Sequence, residues 1–353
     1  MRVLVTGHHG YIGSITARAL HEAGHDVVGL DTLFYDGCDL DGDDTALPTL
    51  RLDVRDVGRN QLKGFDAVVH LAALSNDPLG DLLPRLTRSI NYDATIALAR
   101  AAKQVGVARF VFASSCSMYG VTDSDRPVDE RTPLAPVTEY AHSKARCEEG
   151  LRVLADRHFS PVYMRNGTAY GVSPRMRVDL VLNNLVAWAH TTVTIRILSD
   201  GTPWRPLVHV NDIAAATLGL LEAPRELVHN EAFNIGAPGQ NYQVRQIADI
   251  VRDTVDGCEV EIAGASASDA RSYRVDFSKF ARVFPEFSFR WTVHEGAREL
   301  LDAYRRAGLT LEEFQGPKFT RVEHLKRLLD GGTLNADLRW GRPVADLERS
   351  RER

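Results

Sequence analysis

The sequence predicts an α/β protein built on a doubly wound parallel sheet, with a second, smaller α/β lobe. In the first half of the chain, short apolar runs rich in β-branched residues alternate with stretches of helical periodicity. Strands of a parallel sheet are covered on both faces, so apolar runs separated by helices favour a parallel sheet. A chain of 353 residues also exceeds the size that one core usually serves, so two lobes are expected.

The expected strands are RVLVTG, DVVGLD, FDAVVHLAA, RFVFASS and PVYMRNG, and the helices between them span roughly 12–23, 90–105 and 138–157. The pattern then becomes less regular, so we assign residues 1–165 to a large domain that segments near 207–237 rejoin. Residues 166–308 form the expected smaller lobe, and 309–353 a charged, helical and solvated C-terminal extension.

Composition excludes several classes of function. A net charge of −5 leaves no basic footprint for nucleic acid or for an anionic membrane surface, and no apolar run reaches membrane-spanning length. The N-terminus MRVLVTG has no secretory leader pattern. The cysteines lack disulfide or metal-ligand spacing; they are Cys38, Cys116, Cys147 and Cys258. We therefore expect a cytoplasmic protein that acts on a small molecule and binds no metal.

A glycine-rich stretch, TGHHGYIG, follows the first strand and opens the first helix. Its glycines, Gly7, Gly10 and Gly13, permit a tight turn, and the helix N-terminus offers N–H groups and a positive dipole end to a phosphate. The spacing GxxGxxG differs from the general dinucleotide fingerprint GxGxxG. The adjacent His8 and His9 have no evident third metal ligand and are interpreted as loop residues.

The second strand ends in Asp31, eighteen residues after Gly13. A carboxylate at this place binds the adenosine ribose hydroxyls and repels a 2′-phosphate. No basic residue follows closely, so NAD is expected rather than NADP.

Tyr140 and Lys144 lie four residues apart on a predicted helix and therefore share one face. Ser115 ends a predicted strand, the position where sites gather in α/β proteins. A positive charge near a phenol favours the phenolate, which can remove a proton from a hydroxyl group. These three residues are the candidate catalytic group.

The motifs TGxxGYIG, HLAA, SSxSxYG and YxxxK, in this order, resemble the extended short-chain dehydrogenase/reductases, in particular their nucleotide-sugar epimerase/dehydratase branch. The resemblance covers roughly residues 1–300 and implies a Rossmann-type fold, NAD as cofactor and a homodimer that pairs the helices near 90–105 and 138–157. It implies cofactor contacts at the glycine loop, the strand ends and the catalytic helix, namely Gly7, Gly10, Tyr11, Ile12, Gly13, Asp31, Asp53, Val54, Leu71, Ala72, Ala73, Asn91, Tyr140 and Lys144.

The same resemblance implies a nucleotide-diphosphate sugar as substrate. Its expected contacts, two of them arginines suited to phosphate oxygens, are Ser117, Asn183, Asn184, Arg205 and Arg271. Where the family often carries a diphosphate-binding asparagine this chain has Thr168, with Asn166 two residues earlier. No contact is assigned to either residue.

Ser117 discriminates between reactions of this branch, because related dehydratases, decarboxylases and 3,5-epimerases carry an acid or a thiol there. A hydroxyl cannot supply that acid or base unaided, and Cys116 does not align with the catalytic thiol. Epimerisation at carbon 4 through a transient keto-sugar is therefore expected. The alternatives are a net reductase or dehydrogenase of a nucleotide-linked sugar, using the same residues, and a non-catalytic NAD-binding protein.

Overall fold

The computed structural model describes residues 1–40, 47–75, 83–122, 126–262 and 271–341. Within these ranges the strands are β1 Arg2–Thr6, β2 Asp26–Asp31, β3 Thr49–Arg51, β4 Ala67–His70, β5 Arg109–Ser115, β6 Ser160–Asn166, β7 Thr168–Tyr170, β8 Thr194–Ile197, β9 Trp204–His209, β10 Ala232–Ile235, β11 Asn241–Gln243 and β12 Glu259–Ile262. The α-helices of the same ranges are α1 Tyr11–Glu22, α2 Arg59–Leu62, α3 Pro84–Thr87, α4 Ala94–Gln104, α5 Glu139–Arg152, α6 Val181–Thr192, α7 Val210–Glu222, α8 Arg225–Val228, α9 Val244–Thr254, α10 Ser278–Val283, α11 Val293–Ala307, α12 Leu311–Gln315 and α13 Arg321–Asp330.

Seven parallel strands form the large sheet, in the order β10-β6-β5-β4-β1-β2-β3. The strand order reverses beside β1, and ligands of such sheets bind outside the carboxyl ends of the strands at this point. The predicted doubly wound α/β fold is thus confirmed. The strand expected in EAFNIGA is β10, which pairs with β6 at the sheet edge.

Smaller sheets lie outside the large one. β7, β9 and β11 form a three-stranded sheet, and β8 pairs with β12. One cluster of buried apolar side chains includes Val3 of β1, Leu185 of α6 and Leu300 of α11, so a single core runs from the large sheet to these later elements. The domain boundaries at residues 165 and 308 stay predictions.

The C-terminal extension is helical up to Asp330, as expected, but its described part is not simply solvated. Leu325, Leu334 and Leu338 are buried in the same cluster as Phe34 and Val54 of the large domain. This part of the extension therefore packs against the large domain, because these apolar side chains are removed from water there.

Within the described residues, no helix combines the length and the apolar character needed to cross a bilayer.

Candidate active site

A cavity of about 1120 Å³ opens at the carboxyl edge of the large sheet. The sequence-predicted residues that line it are Gly7, Gly10, Tyr11, Ile12, Gly13, Asp31, Asp53, Val54, Leu71, Ala72, Ala73, Ser115, Ser117, Tyr140, Lys144, Asn184, Arg205 and Arg271. The fold therefore brings residues from nine separated stretches of the chain to one site.

The backbone leaves no room for a side chain at two glycines of the glycine loop. Gly7 has φ +74°, and a Cβ atom there would lie 2.7 Å from the backbone nitrogen of Ala72. A Cβ atom on Gly13 would lie 1.9 Å from the carbonyl oxygen of Gly7. Gly10 precedes α1 and caps it with no side chain, so the first helical turn meets the cavity through its backbone. This loop fits a dinucleotide diphosphate.

Backbone N–H groups hold the carboxylate of Asp31 in place at the end of β2. Its Oδ2 accepts a hydrogen bond from the backbone N of His9 (3.0 Å), and its Oδ1 accepts one from the backbone N of Leu33 (2.8 Å). The carboxylate therefore has a fixed orientation beside the glycine loop, as binding of a ribose diol requires.

Asp53 is held by arginines. Arg55 donates from Nε to Oδ1 (3.0 Å) and from Nη2 to Oδ2 (2.6 Å), and Nη1 of Arg339 lies 3.2 Å from Oδ2. Arg339 belongs to the C-terminal extension. This carboxylate is therefore shared with a part of the chain that was not expected near the cofactor loops.

The candidate catalytic residues meet where β5 and α5 approach each other. Ser115 ends β5, and its Oγ donates to Oγ of Ser117 (2.9 Å) and accepts from the backbone N of Ser117 (3.1 Å). Lys144 donates from Nζ to the carbonyl oxygen of Ala113 (2.6 Å), and Nζ lies 5.7 Å from the centroid of the Tyr140 ring. Burial lowers the pKa of Lys144 to about 8.

The Cys116 thiol points away from the cavity. Its Sγ donates to the carbonyl oxygen of Arg165 (3.1 Å), the residue is fully buried, and burial raises the pKa of the thiol. Cys116 is not among the residues that line the cavity. These contacts agree with the interpretation of Cys116 as a packing residue.

Two residues that were expected to contact the cofactor or the substrate are not among the residues that line the cavity. Asn91 is buried and accepts from the backbone N of Leu74 (2.8 Å), so it supports the segment after β4. Asn183 donates to the Tyr11 hydroxyl (3.2 Å) and to the carbonyl oxygen of Arg177 (2.9 Å). Both side chains thus contact other residues of the chain and do not line the cavity, and their contacts with the cofactor and the substrate stay predictions.

The two expected phosphate-binding arginines are neighbours. Nη1 of Arg205, on β9, donates to the carbonyl oxygen of Arg271 (2.5 Å). Both residues line the cavity, so two arginines border it on its second-lobe side. That arrangement suits a second diphosphate.

Sequence reasoning missed several lining residues. Asn166 stands opposite Ser115 in the register of β5 and β6, and its buried Oδ1 has no hydrogen-bond partner among the residues that the structure describes. Arg177 pairs with Asp179 (2.6 Å) in a stretch for which no site residue was predicted. Its charge was visible in the sequence, but its orientation was not.

Comparisons with known proteins agree with this site. A family model described as "NAD dependent epimerase/dehydratase family" matches residues 3–236. The UDP-glucose 4-epimerase of Bacillus subtilis is 27% identical over 337 residues, 86% of this chain and 96% of the relative. The UDP-glucose 4-epimerase of Streptomyces lividans is 31% identical over 278 residues, 71% of this chain and 80% of the relative.

Solved structures are similar over nearly their whole length. MoeE5 in complex with UDP-glucose and NAD is 28% identical with a TM-score of 0.75, covering 88% of this chain and 100% of MoeE5. The NAD dependent NDP-hexosamine 5,6-dehydratase TunA, of tunicamycin biosynthesis, is 26% identical with a TM-score of 0.77, covering 86% of this chain and 98% of TunA. The family model matches well over half of this chain, and the chain therefore belongs to the NAD dependent epimerase/dehydratase family.

Proposed function

We propose that this protein is an NAD-dependent epimerase that inverts carbon 4 of a nucleotide-diphosphate sugar, with a UDP-sugar as the first candidate. The observation that carries the proposal is the shared cavity. Ser115, Tyr140 and Lys144 line the same space as the glycine loop, and the turn Cys116–Tyr119 that follows β5 brings hydroxyl groups but no carboxyl group.

The proposed chemistry assigns each catalytic residue one task. Tyr140 removes the proton from the 4-hydroxyl group and later returns it, while Ser115 hydrogen-bonds the same sugar oxygen. At pH 7 most of Lys144 is protonated, because its pKa is about 8, and its charge stabilises the phenolate of Tyr140. NAD, when bound, supplies the hydride acceptor and donor.

An epimerase must hold the nucleotide while the keto-sugar rotates, so that the hydride returns to the opposite face of the sugar ring. Arg205 and Arg271 provide that hold on the diphosphate. The volume of about 1120 Å³ exceeds that of most single-ligand pockets and leaves room for a dinucleotide and a nucleotide sugar together. The UDP-glucose 4-epimerases among the relatives support the choice of UDP and of carbon 4.

The similarity to TunA makes dehydration the second candidate. Elimination of water needs an acid and a base of suitable pKa near the sugar. The acidic residues among the described cavity lining are Asp31, Asp53, Asp179 and Glu323. Asp31 and Asp53 belong to the cofactor loops, Asp179 pairs with Arg177, and Glu323 pairs with Lys326, so the epimerase is favoured.

The test is a panel of UDP-glucose, UDP-galactose, UDP-glucuronic acid and UDP-N-acetylglucosamine, with products identified by proton NMR and mass spectrometry. We expect interconversion of one 4-epimer pair with no net change in nicotinamide absorbance, and none with Tyr140→Phe. Stoichiometric consumption of NAD(P)H would identify a reductase, and a product lighter by one water a dehydratase.

We further expect a cytoplasmic homodimer. The cysteines of the described chain are all free and buried, which supports a reducing compartment. The resemblance to the family supports a dimer paired through α4 and α5.

A further inference from the structure

The C-terminal extension forms one wall of the cavity. Residues of α13 and the residue before it line the space, namely Thr320, Arg321, Val322, Glu323 and Lys326. Helix α13 lies about 290 residues after β2 in the chain, yet the two meet at the cofactor side of the site.

Direct hydrogen bonds hold this wall to the loop that follows Asp31. Nε1 of Trp340 donates to the carbonyl oxygen of Thr32 (2.7 Å), and Nε2 of His324 donates to the carbonyl oxygen of Phe34 (2.8 Å). Both donors lie on the extension, so it covers the segment where the adenosine ribose is expected.

A second set of contacts holds the wall to the loop after β3. Nη1 of Arg55 donates to the carbonyl oxygen of Asp337 (2.9 Å), and Nη2 of Arg339 donates to Oδ1 of Asp56 (3.0 Å). The extension therefore joins the two loops that carry Asp31 and Asp53.

Arg321, at this wall, has a buried hydrogen-bond donor without an acceptor among the described residues. The residue is 4% exposed, its guanidinium lies 3.8 Å from the centroid of the Tyr35 ring, and Nη2 donates to the carbonyl oxygen of Arg175 (3.1 Å). Its Nη1 is buried and has no hydrogen-bond partner in the described part of the chain. An unsatisfied buried donor on a cation is costly, so an acceptor is expected there.

Neighbouring cations on this side of the cavity already have carboxylate partners. Nζ of Lys326 lies 2.9 Å from Glu323, and Arg177 pairs with Asp179. Arg321 has no such ion pair among the described residues, and it lines the same cavity as the glycine loop. Arg321 is thus a cation at the cavity wall whose charge no carboxylate of the described residues neutralises.

We propose that the C-terminal extension is a cofactor-holding wall in which Arg321 binds the diphosphate of NAD. A fork of donors matches phosphate oxygens in geometry and charge. The inference rests on NAD being the cofactor of the proposed function. It explains how the cofactor is retained between turnovers, since an epimerase returns the hydride it has taken.

The test compares Arg321→Met, which keeps an unbranched side chain but removes the guanidinium, with Arg321→Lys and with the control Arg327→Met. Arg327 is exposed on the same helix and does not line the cavity. NAD affinity is measured by calorimetry on protein freed of NAD, and NAD release by chase from the loaded protein. Urea unfolding verifies that each variant is folded.

We expect Arg321→Met to weaken NAD binding about tenfold to a hundredfold and to speed release, as for a lost hydrogen bond to a charged group. The NAD affinity of Arg321→Lys should lie between those of Arg321→Met and the parent chain. The NAD affinity of Arg327→Met should be within twofold of that of the parent chain. UDP affinity of the loaded protein should not change. Unaltered NAD affinity in folded Arg321→Met would overturn the proposal.

Two further ligands test the assignment to the diphosphate. Arg321→Met should weaken the binding of ADP-ribose as strongly as that of NAD and leave the binding of adenosine unaffected. An equal loss for adenosine would overturn the phosphate contact in favour of an effect on pocket shape. All these readouts are binding constants, so they stand even if sugar conversion shows that the proposed reaction is wrong.

Discussion

Removal of the buried ammonium group of Lys144 should stabilise the NAD-free protein while it ends catalysis. Lys144 is buried, and its pKa is lowered from 10.5 to about 8 because burial disfavours the charged form. The unfolded chain therefore binds this proton more strongly than the folded one. Between pH 8 and 10.5 the stability of the fold rises with pH, and below pH 8 the full penalty is present.

The size of the effect follows from the shift in pKa. A change from 10.5 to about 8 corresponds to about 3 kcal/mol at pH 7, at 1.36 kcal/mol per pKa unit. The substitution Lys144→Met also removes the hydrogen bond to Ala113, roughly 1 kcal/mol, and the contact of Nζ with the Phe112 ring at 4.7 Å, roughly 0.5–1 kcal/mol. The variant should thus be more stable than the parent chain by about 1–2 kcal/mol at pH 7.

Urea unfolding at pH 7 and at pH 9.5 measures this difference. The cost of burying the charged Lys144 is smaller at pH 9.5 than at pH 7 by about 2 kcal/mol. The gain in stability from Lys144→Met should therefore vanish or reverse at pH 9.5. Lys63→Met, at an exposed lysine, should change stability by less than about 0.5 kcal/mol at either pH. A stability difference for Lys144→Met that is the same at both pH values would refute the reasoning.

Four other predictions address the site and the assembly. Tyr140→Phe should lower turnover by about 10²- to 10⁴-fold or more while NAD affinity stays the same by calorimetry, because only the acid/base group is lost. Cys116→Ala should keep most of the activity in a steady-state assay, since the thiol points away from the cavity; a loss of several orders of magnitude in folded protein would contradict this orientation. Arg271→Met should raise KM for the nucleotide sugar about tenfold to a hundredfold with a smaller change in kcat. Light scattering should give twice the chain mass of 39.1 kDa, and a monomer would contradict pairing through α4 and α5.

The central sheet was predictable because its strands are continuous apolar runs that end at polar residues. β2 has the bounds expected from DVVGLD, and β5 those expected from RFVFASS. β3 was missed because Thr49–Arg51 is a short, partly exposed edge strand without an apolar run. Helix α5 ends at Arg152, before the expected residue 157.

The asparagine pair of α6 shows where motif reasoning ends. Adjacent residues on a helix point about 100° apart, so Asn183 and Asn184 have different surroundings. Asn184 lines the cavity, while Asn183 is directed at Tyr11 and Gly171 in the interior. The motif identified the helix, and only the packing of α6 decided which side chain faces the ligand.

The C-terminal extension was misjudged for a different reason. Its charged residues are periodic enough to indicate a helix but say nothing about distant partners. The contacts that dock it, from Trp340 to Thr32 and from Arg339 to Asp56, join positions more than 280 residues apart. Such contacts depend on the path of the whole chain, which local patterns of hydrophobicity do not encode.

Lys144 and Arg321 share a property that links the site to the stability of the fold. Each is a buried cation on the cavity wall, and neither has a carboxylate hydrogen-bond partner among the described residues. Both therefore cost folding free energy while the cavity lacks an anion. In the proposed contact with Arg321, the bound diphosphate of NAD offsets part of the cost of burying that guanidinium group, and this offset contributes to the binding free energy. Affinity for the cofactor and low stability without it then have the same physical origin.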